Sequence, residues 1–351
     1  MSHIAVVGAG IAGLTVADEL QSAGHVVSLL EKSQGPGGRC ATRRSAAGPF
    51  DHGAPSFTAT TAAFRAQVTA WRDAGWVAVE GGRRESTGFE APLRACGFPS
   101  MNTLAQQIAR SLSSGVDMRT DTPVASIEPS DHDAADTGAQ TGWRLRLLDG
   151  RLDTTRFDAV VVAVPAEQAA VLLGSDSALA EAMRQTCSDP CWTVMAAWPN
   201  QLPTLQGEYR STDPLGVLSL ARRDDARIDR GNVPGIGSRW VLHATPYWSA
   251  DHLDAAAADV IADLVGALAT QSGVDIAAPV HAAAHRWRYG QVPKPRPEPC
   301  GWNAMLRLGS CGDAWHGGAR GADRPRVDGV ERAWLSGRAL AREMIRSLPR
   351  D

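Results

Sequence analysis

Lysine is nearly missing from this sequence. Of its 35 basic residues only Lys32 and Lys294 are lysines, so arginine carries almost all of the positive charge. With 38 acidic residues the formal net charge is −3, and no net basic field exists to gather nucleic acid or an anionic membrane surface. Cysteine is sparse. Cys40, Cys96, Cys187, Cys191, Cys300 and Cys311 form no C-x-x-C, and Cys187/Cys191 lack the second pair a zinc site needs. Reduced thiols in a cytosolic protein are the expectation. Long apolar runs are lacking too, since none reaches the ~18 residues of a membrane span. No basic n-region or cleavage site precedes the first apolar run, Ile4-Ala5-Val6-Val7, as a secretory signal would require. The chain is expected to be cytoplasmic, with no nucleic-acid or membrane partner. Its oligomeric state is not legible.

What is present is a large apolar fraction, 44% of 351 residues. Single cores stop growing near ~250–300 residues, so two joined domains are expected. Residues 3–34 read as β-α-β: strand 4–7, a helical repeat over 12–23 with Leu14, Ala17 and Leu20 on one side, Gly24 as the stop, and strand 26–31. A Gly- and Arg-rich loop follows over 35–53. Helices are expected around 64–71 and over 101–114, 166–173, 253–270 and 330–347. Strands are expected near 124–127, 143–148, 193–198, 240–244 and 306–310. The run 157–165 is continuously apolar, as a strand buried on both faces requires. Residues 128–142 are polar and breaker-rich and read as a hairpin loop, whose Asp131, His132, Asp133 and Asp136 are solvated rather than metal ligands. No internal repeat is present. Nucleotide-type elements thus stand at both ends and in the middle. The expected fold class is α/β, with α+β character in the second domain. A discontinuous Rossmann-type FAD-binding domain takes 1–60, 97–165 and 299–351, and an inserted mixed-sheet substrate domain takes 61–96 and 166–298.

The densest chemistry is the turn Gly8-Ala9-Gly10-Ile11-Ala12-Gly13, a G-x-G-x-x-G between a strand and a helix. Gly8 permits the tight turn, Gly10 lets backbone approach a diphosphate, and Gly13 lets helix and strand pack closely. The helix N-terminus, at Ile11 and Ala12, offers unpaired N–H groups and a partial positive charge. Glu31, 18 residues past Gly13, is placed to accept hydrogen bonds from an adenosine ribose and to repel a 2′-phosphate. Next comes Gly35-Pro36-Gly37-Gly38-Arg39, which resembles the G-G-R loop of glutathione-reductase-type and amine-oxidase-type flavoproteins. There the loop runs along the diphosphate and the arginine helps balance its charge. Gly309-Ser310-Cys311-Gly312-Asp313 resembles their second signature, whose aspartate bonds the ribityl chain. Three signals in the right order imply non-covalent FAD. Lys32 and Val124 are further candidate cofactor contacts. In these folds the N-terminus of the last helix, here the N–H groups near Val330 and Glu331, points at the flavin pyrimidine carbonyl.

Beyond the cofactor pieces, the chain resembles the bacterial renalases and renalase-like FAD oxidoreductases, of the p-hydroxybenzoate-hydroxylase-type fold, nearly end to end. The pieces are Gly37-Gly38-Arg39 with Thr42-Arg43-Arg44, Phe50-Asp51-His52-Gly53-Ala54 with Phe57-Thr58-Ala59, and Asp189-Pro190-Cys191-Trp192. Trp240 to Thr245, Trp248-Ser249, His285-Arg286-Trp287-Arg288-Tyr289 and Ala333-Trp334-Leu335-Ser336-Gly337 continue it. The resemblance implies oxidation of 2- and 6-dihydro isomers of NAD(P)H to NAD(P)+, with hydride passing to the flavin and O2 reduced to H2O2. Such a dihydropyridine needs positioning rather than a side-chain base. The flavin-facing lysine of many amine oxidases has no counterpart among the two lysines here. Pro55, where the family carries glutamine, Arg332, where it carries glycine, and a long 314–329 stretch with His316 to Gly321 and Arg324-Pro325-Arg326 depart from the pattern.

His243, Trp248, Arg286, Trp287 and Tyr289 are the candidate substrate wall. Aromatic rings stack on a nicotinamide, and Arg or His meets an amide or phosphate. Core packing accounts equally well for Trp248 and Trp287, and a buried, hydrogen-bonded imidazole for His243. His281 and His285 stand four apart in a strand-like segment without a catalytic glutamate, so no metal is expected. No catalytic residue is assigned. An FAD-dependent amine oxidase or desaturase of a small metabolite, and a flavin-binding protein without turnover, stay open as alternatives.

Overall fold

The computed structural model describes residues 1–80, 93–112, 115–130, 142–202, 207–226, 229–273, 275–317 and 327–348. Its central sheet grows from the apolar run that begins the chain. Strand β1 (His3–Val7) lies parallel between β2 (Val26–Leu30) and β11 (Ala159–Val162), with Val6 opposite Leu29 and Val161. With β8 (Val116–Arg119), β17 (Gly301–Asn303) and β18 (Leu308–Ser310) the order is β17-β18-β11-β1-β2-β8. Residues of one strand alternate between faces, and both faces are covered. Ile4, Val6, Val27, Leu29, Ala159 and Val161 pack under α1 (Ile11–Ser22), α3 (Met101–Ser111) and the C-terminal helix α8 (Gly329–Ser347). Ala5, Val7, Leu30, Val160 and Val162 pack under α4 (Ala166–Leu172), α5 (Ser177–Arg184) and the hairpin of β9 (Val124–Pro129) and β10 (Trp143–Leu147). The two-sided burial is why 159–162 reads as uninterrupted apolar sequence.

Strands β3 (Arg43–Ser45) and β4 (Gly48–Phe50) form a small hairpin in the expected loop. Strand β5 (Phe57–Ala59) starts a second small sheet with β7 (Leu93–Gly97) and β6 (Val77–Val79), and α2 (Ala62–Asp73) connects them. Residues 61–96 were expected beside the substrate domain. Their Phe64, Val68, Trp71, Val77, Ala95 and Cys96 instead bury in the same core as α1, α3 and α8. Likewise α4 and α5, expected in the insertion, cover the parallel sheet.

The insertion itself is a five-stranded antiparallel sheet, ordered β13-β14-β15-β12-β16. Its strands are β12 (Asp189–Trp198), β13 (Glu208–Arg210), β14 (Leu218–Arg223), β15 (Ser238–Ala244) and β16 (His281–Gln291). One face is greasy: Trp192, Val194, Ala196, Trp198, Trp240 and Leu242 pack on Val260, Leu264 and Leu268 of α7 (Ala257–Ser272), with Trp248 of the short α6 (Pro246–Asp251). The opposite face meets the β3–β4 hairpin, where Met195, Ala197 and Val241 close over Ala47 and Phe50. No helix among the described residues is long and apolar enough to cross a membrane. The 131–141 part of the predicted hairpin loop, with Asp131, His132, Asp133 and Asp136, and the 318–326 stretch with Arg320, Arg324 and Arg326 lie outside the described residues.

Candidate active site

The glycine turn is shaped by contacts that admit no side chain. Gly8 has φ +105°, and a Cβ there would meet the Ala163 carbonyl oxygen at 2.6 Å; a Cβ on Gly13 would lie 1.9 Å from the Gly8 carbonyl oxygen. Gly10 caps α1 with no side-chain hydrogen bond, and the space where its Cβ would point is open to 4 Å. Ile11 and Ala12 form the buried first turn behind it. The second glycine loop sits across the first: the Gly37 N–H donates to the Ala9 carbonyl at 3.0 Å, and a Cβ on Gly38 would stand 3.5 Å from Gly10 Cα. Uncapped helix N–H groups bordered by glycine backbone suit a diphosphate, so these residues fit the nucleotide half of FAD.

Four of the residues predicted as cofactor contacts make bonds within the chain. Buried Glu31 accepts the Ala9 N–H on Oε2 (2.8 Å) and the Ser33 N–H on Oε1 (2.9 Å), so its carboxylate also builds the turn. The Arg39 guanidinium grips the buried Asp313 carboxylate bidentately, at 2.5 and 2.9 Å, joining positions 274 residues apart. The Val330 N–H is taken by Asp328, the N-cap of α8, at 2.8 Å. Glu331, wholly buried, accepts the Thr60 and Thr61 N–H groups at 2.8 and 2.7 Å and so fastens α8 to the start of α2. Lys32 is exposed, and Val124 is half-buried at the start of β9. Gly312 has φ +146° with open space at its Cβ, and its N–H donates to the Ser336 hydroxyl. Arg332 crosses to the carbonyls of Asp313, Val327 and Val292, binding the first turn of α8 to the Gly312–Asp313 turn.

Beside the Arg39–Asp313 pair lies the loop 50–54, and every one of its residues is tied down. Phe50 is buried. Asp51, fully buried, accepts from Thr42 Oγ1 and the Met101 N–H and pairs with the buried Arg230. The His52 carbonyl accepts the Trp287 indole N–H at 2.9 Å. The Gly53 carbonyl lies 3.1 Å from His243 Nε2, and the Ala54 N–H donates to the Arg39 carbonyl at 2.8 Å. A Cβ on Gly53 would fall 2.0 Å from that same carbonyl oxygen. The loop thus carries the sheet's second face up to the base of Arg39.

On that face three rings meet. His52 stacks on Trp287 (centroids 5.0 Å, 29°) and meets His285 edge-on (4.9 Å, 89°), while His285 and Trp287 stand 4.4 Å apart. Burial pushes the His52 imidazole down to about 3, with His285 and Arg43 adding repulsion. Burial pushes His243 to about 4 and takes His285 below its usual value. At neutral pH all three rings are uncharged.

Strand alternation divides the five predicted wall residues. His243 and Trp287 stand on the loop-facing side, cross-strand from Thr193 and Cys191. Arg286, opposite Trp192, points to the α7 side, where it holds the Leu253 carbonyl and Asp254 and lies 5.7 Å from the Trp192 ring. Trp248 is on that side too, stacked on His252 at 4.1 Å. Tyr289 is half-buried where β16 loses register with β12. From the sequence, His52 and His285 figure only within the resembling stretches, His285 also as a metal ligand set aside, and neither is named as a site residue. The period-two set His281, Ala283, His285, Trp287 was the available signal. Among the described residues no group of three or more His, Cys, Asp or Glu is arranged to hold a metal, and Lys294, like Lys32, is exposed.

Comparison with known proteins places this geometry. Residues 6–69 match the NAD(P)-binding Rossmann-like domain, and residues 78–345 match the flavin containing amine oxidoreductases. Over 43 residues the chain is 54% identical to an L-amino-acid oxidase of Daboia russelii, a stretch covering 12% of this chain and only 8% of that protein. Among solved structures, an Exiguobacterium sp. 255-15 protein assigned provisionally as a protoporphyrinogen oxidase superposes with a TM-score of 0.70 at 14% identity, covering 99% of both chains. The cyclohexylamine oxidase of Brevibacterium oxydans IH-35A gives a TM-score of 0.65 at 13% identity, covering 98% of this chain and 99% of that one. At such identities the two likenesses establish the fold.

Proposed function

The chain belongs to the flavin containing amine oxidoreductase family and uses FAD, and from that premise we propose that it oxidises a small amine at the carbon next to nitrogen. FAD, when bound, supplies a two-electron acceptor that O2 regenerates, so the balance is amine plus O2 to imine plus H2O2. The residues that would hold the cofactor's diphosphate are Gly8, Gly10 and Gly13 with Gly38, and the Arg39–Asp313 pair would stand beside its ribityl side. The observation that carries the substrate reading is the uncharged face of His52, His243, His285 and Trp287 against the loop that abuts Arg39. Hydride leaves such a carbon only when the nitrogen lone pair can push, so the amine must react neutral. A face of uncharged rings favours that form over an ammonium ion, whose burial is costly. The rings then exclude water and fix the carbon's approach.

One observation favours a second reading, oxidation of dihydronicotinamide isomers. The Trp287–His52 stack offers a flat aromatic face of the kind a dihydropyridine ring packs on. The test is anaerobic. The yellow holoenzyme is mixed with a panel of primary and secondary amines, then with 2- and 6-dihydro-NAD(P), and the flavin band near ~450 nm is followed. Bleaching by amines is expected; bleaching by the isomers alone would replace the first reading with the second.

A further inference from the structure

The chain has eleven tryptophans, and six of them donate the indole N–H to a partner within it. Three of the others meet at one place. Trp71, Trp76 and Trp334 line a cleft of about 230 Å³ between α1, α2, α3 and α8. None of their N–H groups has a hydrogen-bond partner among the described residues. Trp71 is 5% exposed and Trp334 3%, and an indole so deeply buried ordinarily finds an acceptor for its N–H. A molecule in the cleft they line can supply one.

The same cleft carries negative charge. Thr15, Asp18 and Glu19 stand three and four apart on α1, so one helix face brings both carboxylates to the lining. Glu19 is taken by Arg338 at 2.6 Å, and that guanidinium lies 4.7 Å from the Trp334 ring. The chain's own cation thus shows how this wall receives positive charge, with a carboxylate on one side and an indole on the other. Asp18, exposed at the mouth, has no such partner among the described residues. Partial burial and the neighbouring Glu19 hold its carboxyl above the usual value, as befits a carboxylate without a compensating cation. A primary ammonium carries three donors and calls for several acceptors, whereas Asp18 is a single unpaired carboxylate. A methylated ammonium calls for none and is attracted to indole faces.

We propose that this cleft is a binding site for a small methylated ammonium compound that carries an oxygen acceptor. Asp18 balances its charge, Trp71, Trp76 and Trp334 form its walls, and the oxygen accepts an indole N–H. The lining includes no residue of the proposed substrate face. A quaternary nitrogen has no lone pair, so such a compound is not a substrate of the proposed oxidation, and the inference does not depend on that reaction.

The test titrates choline and its uncharged isostere 3,3-dimethyl-1-butanol, which share shape and hydroxyl, into the holoenzyme by calorimetry at low salt. Wild type should bind choline about tenfold more tightly than the alcohol. Asp18→Asn should weaken choline about fivefold and leave the alcohol and the flavin content unchanged. Trp76→Leu, which removes a half-buried wall, should weaken choline about threefold. Equal affinities in wild type, no binding of choline, or a choline preference that survives intact in Asp18→Asn would each overturn the proposal. Should Trp76→Leu fail to fold, the wild-type ratio and Asp18→Asn decide.

Discussion

The two faces of the five-stranded sheet are woven from the same strands and do different work. The face toward α7 is an ordinary core, with tryptophans and leucines packed on a helix and arginines reaching around its rim. The face toward loop 50–54 is half polar, and its rings are fixed by hydrogen bonds to backbone carbonyls of that loop. Residues next to each other in β16, Arg286 and Trp287, therefore belong to different regions of the molecule. The difference teaches that adjacency in a strand separates side chains, whereas a long-range loop brings them together.

The comparison breaks most severely where loop meets cradle. Gly53→Ala puts a carbon 2.0 Å from the Arg39 carbonyl oxygen, so the loop must move. A stability loss of about 4 kcal/mol or more is expected, with FAD lost on purification, checked by denaturant unfolding and flavin content. Asp51→Asn comes next. It puts a neutral amide in place of the nearer carboxylate of Arg230, whose side chain is 1% exposed, and leaves Asp224, at 3.3 Å, to balance the charge. Removing one partner of such a pair costs about 3–5 kcal/mol, measured as a shift in unfolding midpoint.

Smaller, and confined to the second face, is Trp287→Phe, which keeps a ring but deletes the N–H that holds the His52 carbonyl. A loss of about 1–2 kcal/mol in stability is expected, with slower flavin bleaching by substrate. A titration sharpens the same face. His52, His243 and His285 have folded-state values below the ordinary 6.5, so their neutral forms favour the folded state above 6.5. That contribution drains away as pH falls from 6.5 through about 4 and then about 3. Thermal unfolding of wild type should lose stability over that window, and His243→Leu should show a shallower slope. The smallest effect belongs to the first face. Arg286→Ala removes a partly exposed ion pair to Asp254, worth under ~1 kcal/mol, and should leave the flavin-bleaching rate unchanged.

The nucleotide cradle was legible because its constraints are local. A strand, three glycines and a helix start within 11 residues carry their geometric reasons in their spacing. The C-terminal turn at Gly312–Asp313 was legible for the same cause, but its bond to Arg39 was not, because a pairing across 274 positions has no local trace. Glu331 was assigned to the cofactor through its backbone, whereas its side chain accepts the Thr60 and Thr61 N–H groups just before α2, a contact that depends on how α8 packs. Residues 61–96 were placed with the insertion on chain order alone. Phe64, Val68 and Trp71 show that the apolar face of α2 belongs with α1 and α8. His52 was not singled out as a site residue because a loop has no periodicity from which burial can be read, and its ring packs on His285 and Trp287, far along the chain.

The proposal that the Trp287 face, and not the Trp248 face, meets the flavin is tested most directly by flavin fluorescence of the holoenzyme. An indole in contact with the isoalloxazine quenches its emission by electron transfer. Trp287→Phe should raise the flavin emission, and Trp248→Phe, with FAD equally bound, should leave it where it is. A rise in Trp248→Phe with none in Trp287→Phe would place the flavin on the other side of the sheet and contradict the proposed site.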